Sequence, residues 1–216
     1  MGKTSIHTVY KTTDGQRVPG VTTITGQLDK PALVHWAWKL GKKGIDYKKF
    51  RDDKADIGTL AHALCIGYLL KQEVDTSDYT AKQIDSAENC LLSFYEWEKG
   101  KEIEILFAEE PLVSNKYRYG GTPDIVALID GILTMPDIKT GKAIYPEMIY
   151  QLSGYKHLAK ECEDVDVEKA MILRIGRDET EGFEVELYSD KSMKIAFKIF
   201  LNMLEVYYLK KELKGV

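Results

Sequence analysis

The spacing of apolar residues changes character several times along the chain, and each change predicts an element. The opening stretch, IHTVYKTTDGQRVPGVTTIT (residues 6–25), alternates β-branched and polar residues around the turn signals Asp14-Gly15 and Pro19-Gly20. That pattern predicts a hairpin or an irregular strand pair. KPALVHWAWKLGKKG then places Leu33, Trp36 and Leu40 on one helical stripe, with Pro31 near the first turn. DDKADIGTLAHALCIGYLLKQ spaces Leu60, Leu64, Ile66 and Leu70 at helical intervals and predicts a second helix. SDYTAKQIDSAENCLLSFYEWEKG predicts a third, stopped at Gly100.

After Gly100 the period shortens. EIEILFAEEPLV, GGTPDIVALIDG and ILTMPDIKTG read as three strands, the last two joined at Asp130-Gly131, the strongest hairpin signal in the chain. PEMIYQLSGYKHLAKE returns to helical spacing, with Pro146 suited to a first turn. EKAMILRIG and GFEVELYS are two further strands, followed by a long amphipathic helix in SDKSMKIAFKIFLNMLEVYYLKKEL. This order predicts an α/β fold: a mixed central β-sheet flanked by helices in three layers. Residues 1–216 show no repeat or linker and are expected to form a single domain.

Composition sharpens the picture at few points. With 44% hydrophobic and 30% charged residues the chain is an ordinary globular one. It has no run of about 18 apolar residues as in a membrane span, and MGKTSIHTVYKTTDGQ has no signal-peptide core. Gly2 fits a myristoylation pattern only loosely. The three cysteines, Cys65, Cys90 and Cys162, form no CxxC pair, so a zinc ribbon or iron–sulfur framework has no support. Cys65 and Cys90 are expected as buried thiols, and a reducing, cytoplasmic setting fits. The net charge of −4 hides an asymmetry: residues 1–54 hold 11 Lys+Arg against 5 Asp+Glu, and residues 55–216 hold 19 against 29. The basic end, including KLGKKGIDYKKFR, is either a solvated face or a phosphate-tracking patch beside an acidic centre.

The Asp130-Gly131 turn has a chemical consequence. Asp124 lies six residues before Asp130 and Asp137 six after Gly131, so a two-residue turn sets the two carboxylates across from each other, to within a residue of register. Asp137 and Lys139 are two apart on one strand and share a face. Charged groups among apolar neighbours are costly unless paired or metal-bound, and facing carboxylates suit a hard divalent cation. An Asp–Lys ion pair at a sheet edge is the plain structural alternative. Pro136 cannot donate to a ladder and suggests an edge or a bulge.

Pro123-Asp124 with Asp137-Ile138-Lys139 resembles the PD-(D/E)XK nuclease superfamily. GTLAH (Gly58 to His62) and QLSGY (Gln151 to Tyr155) resemble two further motifs of its RecB-type members, DIKTG is their usual acid–lysine segment, and the opening is similar to phage-type exonucleases. The resemblance runs from about residue 20 to 190. It implies a restriction-endonuclease-like core, with residues 1–54 as a basic N-terminal hairpin and helix and 55–216 carrying the nuclease core. Asp124 and Asp137 would be metal-binding carboxylates for Mg²⁺ or Mn²⁺, with His62 and the Ile138 backbone carbonyl contributing, and Lys139 the catalytic lysine. Glu109, or its competitor Glu110, would stand on the first core strand, with strand alternation letting only one face the site. Gln151 and Tyr155, four apart on one helical face, would orient the active-site backbone or contact a phosphate.

The implied activity is a metal-dependent DNA exonuclease in recombination, repair or phage DNA processing, acting on linear ends, with a recombination or single-strand-binding partner. A structure- or site-specific endonuclease, or a catalytically silent DNA-binding module, are the alternatives. Trp36, Trp38 and Tyr47 either stack a strand or belong to the core.

Overall fold

The computed structural model describes residues 8–215. Gly2, and the first two residues of the expected hairpin, Ile6 and His7, lie outside the described residues. A small hairpin does follow: the Val18 N–H donates to the Tyr10 carbonyl (3.1 Å), and the Gly15 N–H to the Thr12 carbonyl (2.8 Å) across the turn. The β-branched run after it departs from expectation, because Val21–Thr25 is a short helix, α1. Val21 and Ile24 are buried there among residues of the C-terminal helices, and that packing overrides strand propensity.

Three helices follow: α2 (Pro31–Lys42), α3 (Tyr47–Leu70) and α4 (Ala81–Glu98). Helix α3 starts five residues ahead of its predicted segment because Asp46 caps it, accepting from the Lys49 N–H at 3.1 Å. Thr80 and Gln83 form a capping box at the start of α4. The stripe predicted for α2 is only partly inward: Leu40 is buried, but Leu33 is exposed. Leu70, at the end of α3, is also exposed.

The three predicted strand runs become five strands. These are β1 (Ile103–Ala108), β2 (Leu112–Ser114), β3 (Tyr119–Gly121), β4 (Ile125–Ile129) and β5 (Ile132–Lys139). Helix α5 (Met148–Glu163), strands β6 (Lys169–Ile175) and β7 (Phe183–Tyr188), and helix α6 (Asp190–Leu213) complete the chain. The five-stranded sheet has the order β1-β4-β5-β6-β7, with β2 and β3 in a separate pair. Only the β5–β6 pairing is parallel, as the intervening α5 crossover requires.

Helices cover both faces, giving the three layers the pattern predicts. Helices α1, α5 and α6 pack with Val126, Met135 and Ile172 on one side. Helices α3 and α4 pack with Ile125, Ala127, Ile138 and Leu173 on the other, where Cys65 and Cys90 are buried as expected. Residues 26–46 therefore carry the chain from one face to the other. Lys30 pairs with Glu147 at the start of α5 along the way (3.2 Å). No helix among the described residues is long and apolar enough to cross a membrane.

Candidate active site

The β4–β5 hairpin turns through Asp130 (φ 51°) and Gly131 (φ 75°), both left-handed, as a two-residue turn matched to strand twist demands. Its pairs Ile129↔Ile132, Leu128↔Leu133 and Ala127↔Thr134 continue, by counting, to Asp124 opposite Asp137. The ladder itself stops at Ala127↔Thr134, and the arms part beyond it. Asp124, one residue ahead of β4, bridges the gap by accepting the Ile138 N–H on Oδ2 at 2.7 Å.

Of the two readings of Pro136, an edge or a bulge, the edge does not hold: β5 is the middle strand of the sheet. Alternation explains how it is tolerated. The Leu133 carbonyl turns to the β6 side, where it accepts from Glu168, and the Ile138 N–H turns to the β4 side. Pro136 shares the side of Ile138, so its missing donor faces the place where β4 has already left. Ile138 offers its carbonyl to that same side, since a strand residue presents both backbone groups together.

The expected groups do converge. Lys139 Nζ sits against Asp137 Oδ2, and His62 Nδ1 lies 3.6 Å from Asp124 Oδ2. Asp137 is 1% exposed, and neither of its oxygens has a hydrogen-bond partner in good geometry. Burial, reinforced by Asp124, pushes its pKa up to about 6 although Lys139 opposes the shift. Burial also opposes ionisation of Asp124, but His62, Lys139 and the Ile138 N–H outweigh it and hold that carboxyl below its ordinary value. Burial disfavours the charged forms of His62 and Lys139, and the neighbouring aspartates outweigh it, raising both.

Helix α5 supplies one wall. Gln151 Nε2 donates to Tyr155 Oη at 3.1 Å, as their spacing of four predicts. Burial, then Asp137 and Asp124, holds the Tyr155 phenol well above its ordinary pKa, so it stays protonated. Gly121 makes room for the ring: a Cβ there would lie 2.6 Å from Tyr155 Cε1. On α3, a Cβ at Gly58 would meet Thr140 Oγ1 at 3.1 Å, so the glycine of GTLAH lets the helix approach the end of β5.

Glu109 is not on the first core strand as expected but one residue beyond β1, in a left-handed conformation (φ 50°). Its N–H reaches the Pro123 and Asp124 carbonyls, each at 3.1 Å. Those bonds set it beside Asp124; the residue itself is exposed, and partial desolvation, then Asp124, raises its pKa. Glu110 instead lines a separate surface depression with Lys11, Thr13 and Cys162. The aromatic trio divides. Trp36 packs edge-on against Tyr47 and Phe50, while Trp38 is 56% exposed, stacked on His35 and capped by Lys42.

Two neighbours were not singled out from sequence: Thr140, next to Lys139, and Arg177, whose Nη2 donates to Thr140 Oγ1 at 3.0 Å. The available signal was an arginine just past a predicted strand end, beside the DIKTG segment.

In donor chemistry the site suits a hard divalent cation, since Asp137 keeps a buried Oδ1 without a donor beside a second carboxylate. No group of three or more His, Cys, Asp or Glu among the described residues is arranged to hold a metal ion by itself.

No protein-family model matches the sequence, and no curated protein matches it. Solved structures that match include the alkaline exonuclease LHK-Exo of Laribacter hongkongensis, at 16% identity over 73% of this chain and 84% of that one, with a TM-score of 0.34. The same exonuclease in complex with dAMP matches over the same shares at 16% identity, with a TM-score of 0.35. A provisionally assigned exonuclease from Eubacterium rectale matches at 12% identity over 89% of this chain and 73% of that one, with a TM-score of 0.41.

Proposed function

We propose that the chain is a metal-dependent deoxyribonuclease, an exonuclease in preference to an endonuclease. The observation that carries the reading is Asp137, a buried carboxylate held against the Lys139 ammonium and in the field of Asp124 and His62. A scaffold gains little from burying such a cluster, because pairing only partly offsets the desolvation of its charges. The preference for DNA ends rests on the sequence resemblance carried by GTLAH, DIKTG and QLSGY. Recombination, repair or phage DNA processing in a cytoplasm is the setting it implies, with a recombination or single-strand-binding protein as partner.

Asp124, Asp137, His62 and the Ile138 carbonyl would hold Mg²⁺ or Mn²⁺. Bound there, the ion would lower the pKa of water and offset negative charge on the phosphodiester. The Ile138 N–H and His62 fix the orientation of Asp124. Lys139 keeps an ammonium beside Asp137, where it orients the attacking water and offsets charge developing on the phosphoryl oxygens. Tyr155, whose oxygen already accepts from Gln151, retains its own O–H for a phosphate or backbone acceptor.

The test is hydrolysis of end-labelled linear DNA, single- and double-stranded, with Mg²⁺, Mn²⁺ or EDTA. Covalently closed circular DNA is the parallel substrate. Release of short products from linear DNA, abolished by EDTA, is the expected outcome. Cleavage of the closed circle would replace exonuclease with endonuclease. No hydrolysis of any substrate, together with no heat of Mn²⁺ binding by calorimetry, would overturn the nuclease reading.

A further inference from the structure

Helix α2 carries an exposed apolar ridge that the proposed catalysis does not use. Its two tryptophans face opposite ways. Trp36 packs edge-on against Tyr47 and Phe50 at the start of α3, and so fixes the helix. A step of two residues turns about 200° round a helix, so Trp38 faces away and is 56% exposed. Val34, one turn earlier on the same ridge, is 70% exposed. His35 stacks on Trp38 at 5.6 Å between centroids, and Lys42 Nζ lies 4.6 Å over the indole. An indole left this open, continuous with a second apolar side chain, marks a binding surface rather than stray exposure.

The charge around the ridge selects its occupant. Residues 30–51 hold seven Lys+Arg and a single acid, Asp46, which is engaged in capping α3. Lys39, Lys42 and Lys43 are exposed and form no ion pair among the described residues. An aromatic face among free ammonium groups suits a polyanion that carries flat bases, which is a nucleic-acid strand. The helix also lies beside the proposed site. Lys30, its N-cap, pairs with Glu147, the N-cap of α5 and four residues before Gln151. Trp36 rests on the start of α3, the helix that carries His62. Helix α2 therefore spans the N-terminal ends of the two helices that wall the site.

We propose that α2 is a platform for single-stranded DNA, on which a base stacks upon Trp38 while Lys39, Lys42 and Lys43 hold the phosphates beside it. The inference rests on the nuclease reading for the identity of the strand and its course toward the site. A cation over an exposed ring is worth less than a stacked base, so the base displaces Lys42 from the indole. The released ammonium then lies beside the phosphate of that same nucleotide. A duplex keeps its bases paired, so the platform takes an unpaired strand. Phe50, against which Trp36 packs, precedes His62 by twelve residues, about 18 Å of helix. With phosphates about 3.4 Å apart, or farther in an extended strand, the engaged strand reaches up to about five nucleotides beyond the cut.

The experiment is fluorescence anisotropy, in EDTA, of a fluorescein-labelled oligothymidylate of about 15 nucleotides, within ordinary single-strand site sizes. It compares the unaltered protein with Trp38→Ala, Trp38→Phe and Leu92→Ala. Leu92, 57% exposed on α4, controls for the loss of surface apolar area. Trp38→Ala should weaken binding about tenfold, the worth of one stacked base. Trp38→Phe keeps an aromatic face and should stay within about threefold. Leu92→Ala should bind as the unaltered protein does. Lys42→Ala should flatten the slope of log K against log salt by about 0.7, the value for one phosphate contact on a single strand. Equal affinity of Trp38→Ala and the unaltered protein, or an equal loss in Leu92→Ala, would overturn the platform. So would a change of oligomeric state in Trp38→Ala by sedimentation velocity with DNA affinity unaltered, which would give the ridge to a second copy of the chain. KM for hydrolysis of the same strand should rise in step with Kd; an unaltered KM would overturn the course of the strand along α2. Failure of the unaltered protein to hydrolyse DNA would instead overturn the nuclease reading, since affinity is read without turnover.

Discussion

Asp124 and Asp137 occupy equivalent places on the two arms of one hairpin, and the arms treat them in opposite ways. The β4 arm completes its carboxylate: Asp124 takes the Ile138 N–H and faces His62, and its pKa falls. The β5 arm buries its carboxylate against the Lys139 ammonium with no backbone donor among the described residues, and the pKa of Asp137 rises to about 6. Two chemically identical groups are thus driven apart by environment alone, a pattern expected where carboxylates have separate tasks. The contrast also divides the labour of the proposed site. Asp124 is fixed by the protein, whereas Asp137, held on Oδ2 by Lys139, keeps Oδ1 in hand.

The most severe challenge to this contrast is removal of the cation in direct contact with Asp137. Lys139→Ala should lower the rate on end-labelled linear DNA by about 10²–10³-fold, the usual cost of one group that stabilises charge in a transition state. Equal rates would reduce Lys139 to a structural partner. The second challenge compares the arms directly by urea denaturation without metal. Asp124→Ala orphans the Ile138 N–H and should cost about 1–3 kcal/mol, the penalty for an unsatisfied buried donor. Asp137→Asn removes a charge that burial disfavours even beside Lys139, as its raised pKa of about 6 records, so its cost should be smaller, under about 1 kcal/mol. Equal losses at the two positions would erase the distinction between the arms.

The convergence itself was legible in the sequence because it depends on local geometry. A two-residue Asp-Gly turn admits one backbone solution, and strand alternation does the rest. Gln151 and Tyr155 were legible for the same reason, being four apart on a helix. What was hidden depends on tertiary context. VTTIT has strand composition, yet Val21 and Ile24 are buried in a helix by partners from α5 and α6, far along the chain. Pro136 suits a middle strand only because β4 departs before it, which no local pattern reveals. The choice between Glu109 and Glu110 turned on a left-handed residue that breaks alternation. Arg177 joins the neighbourhood of Lys139 through the parallel pairing of β5 with β6, a contact made across the whole of α5.

Two gentler tests ask whether the state of Asp137 belongs to its site or to burial in general. Gly121→Ala would drive a Cβ to 2.6 Å from Tyr155 Cε1 and 2.9 Å from Val21 Cγ2. Overpacking of this kind costs about 1–3 kcal/mol, and it should lower the thermal midpoint while displacing the Tyr155 wall. An unchanged midpoint would show that the wall yields freely. The smallest effect is expected at His157, a half-buried ionisable group away from Asp124 and Asp137. It lies between Phe197, stacked at 4.3 Å, and Tyr117, edge-on at 5.1 Å. Its Nε2 is buried and lies 3.3 Å from Glu161 Oε2, which also accepts from Ser114 Oγ at 2.6 Å. Burial lowers the His157 pKa below 6.5 in spite of Glu161. The unfolded chain then binds a proton that the folded one refuses. This contribution is therefore present above 6.5 and lost as pH falls through the lowered value. His62 acts with the opposite sign, since its raised pKa gives stability that is complete below 6.5 and lost as pH rises. The two partly cancel in the unaltered protein, so the informative quantity is the difference made by His157→Phe. Its urea midpoint should fall less than that of the unaltered protein between about pH 7.5 and about pH 5.5. Parallel curves would mean that aromatic burial alone does not perturb a titrating group here, and the upward shift at Asp137 would then belong to its facing carboxylate rather than to desolvation.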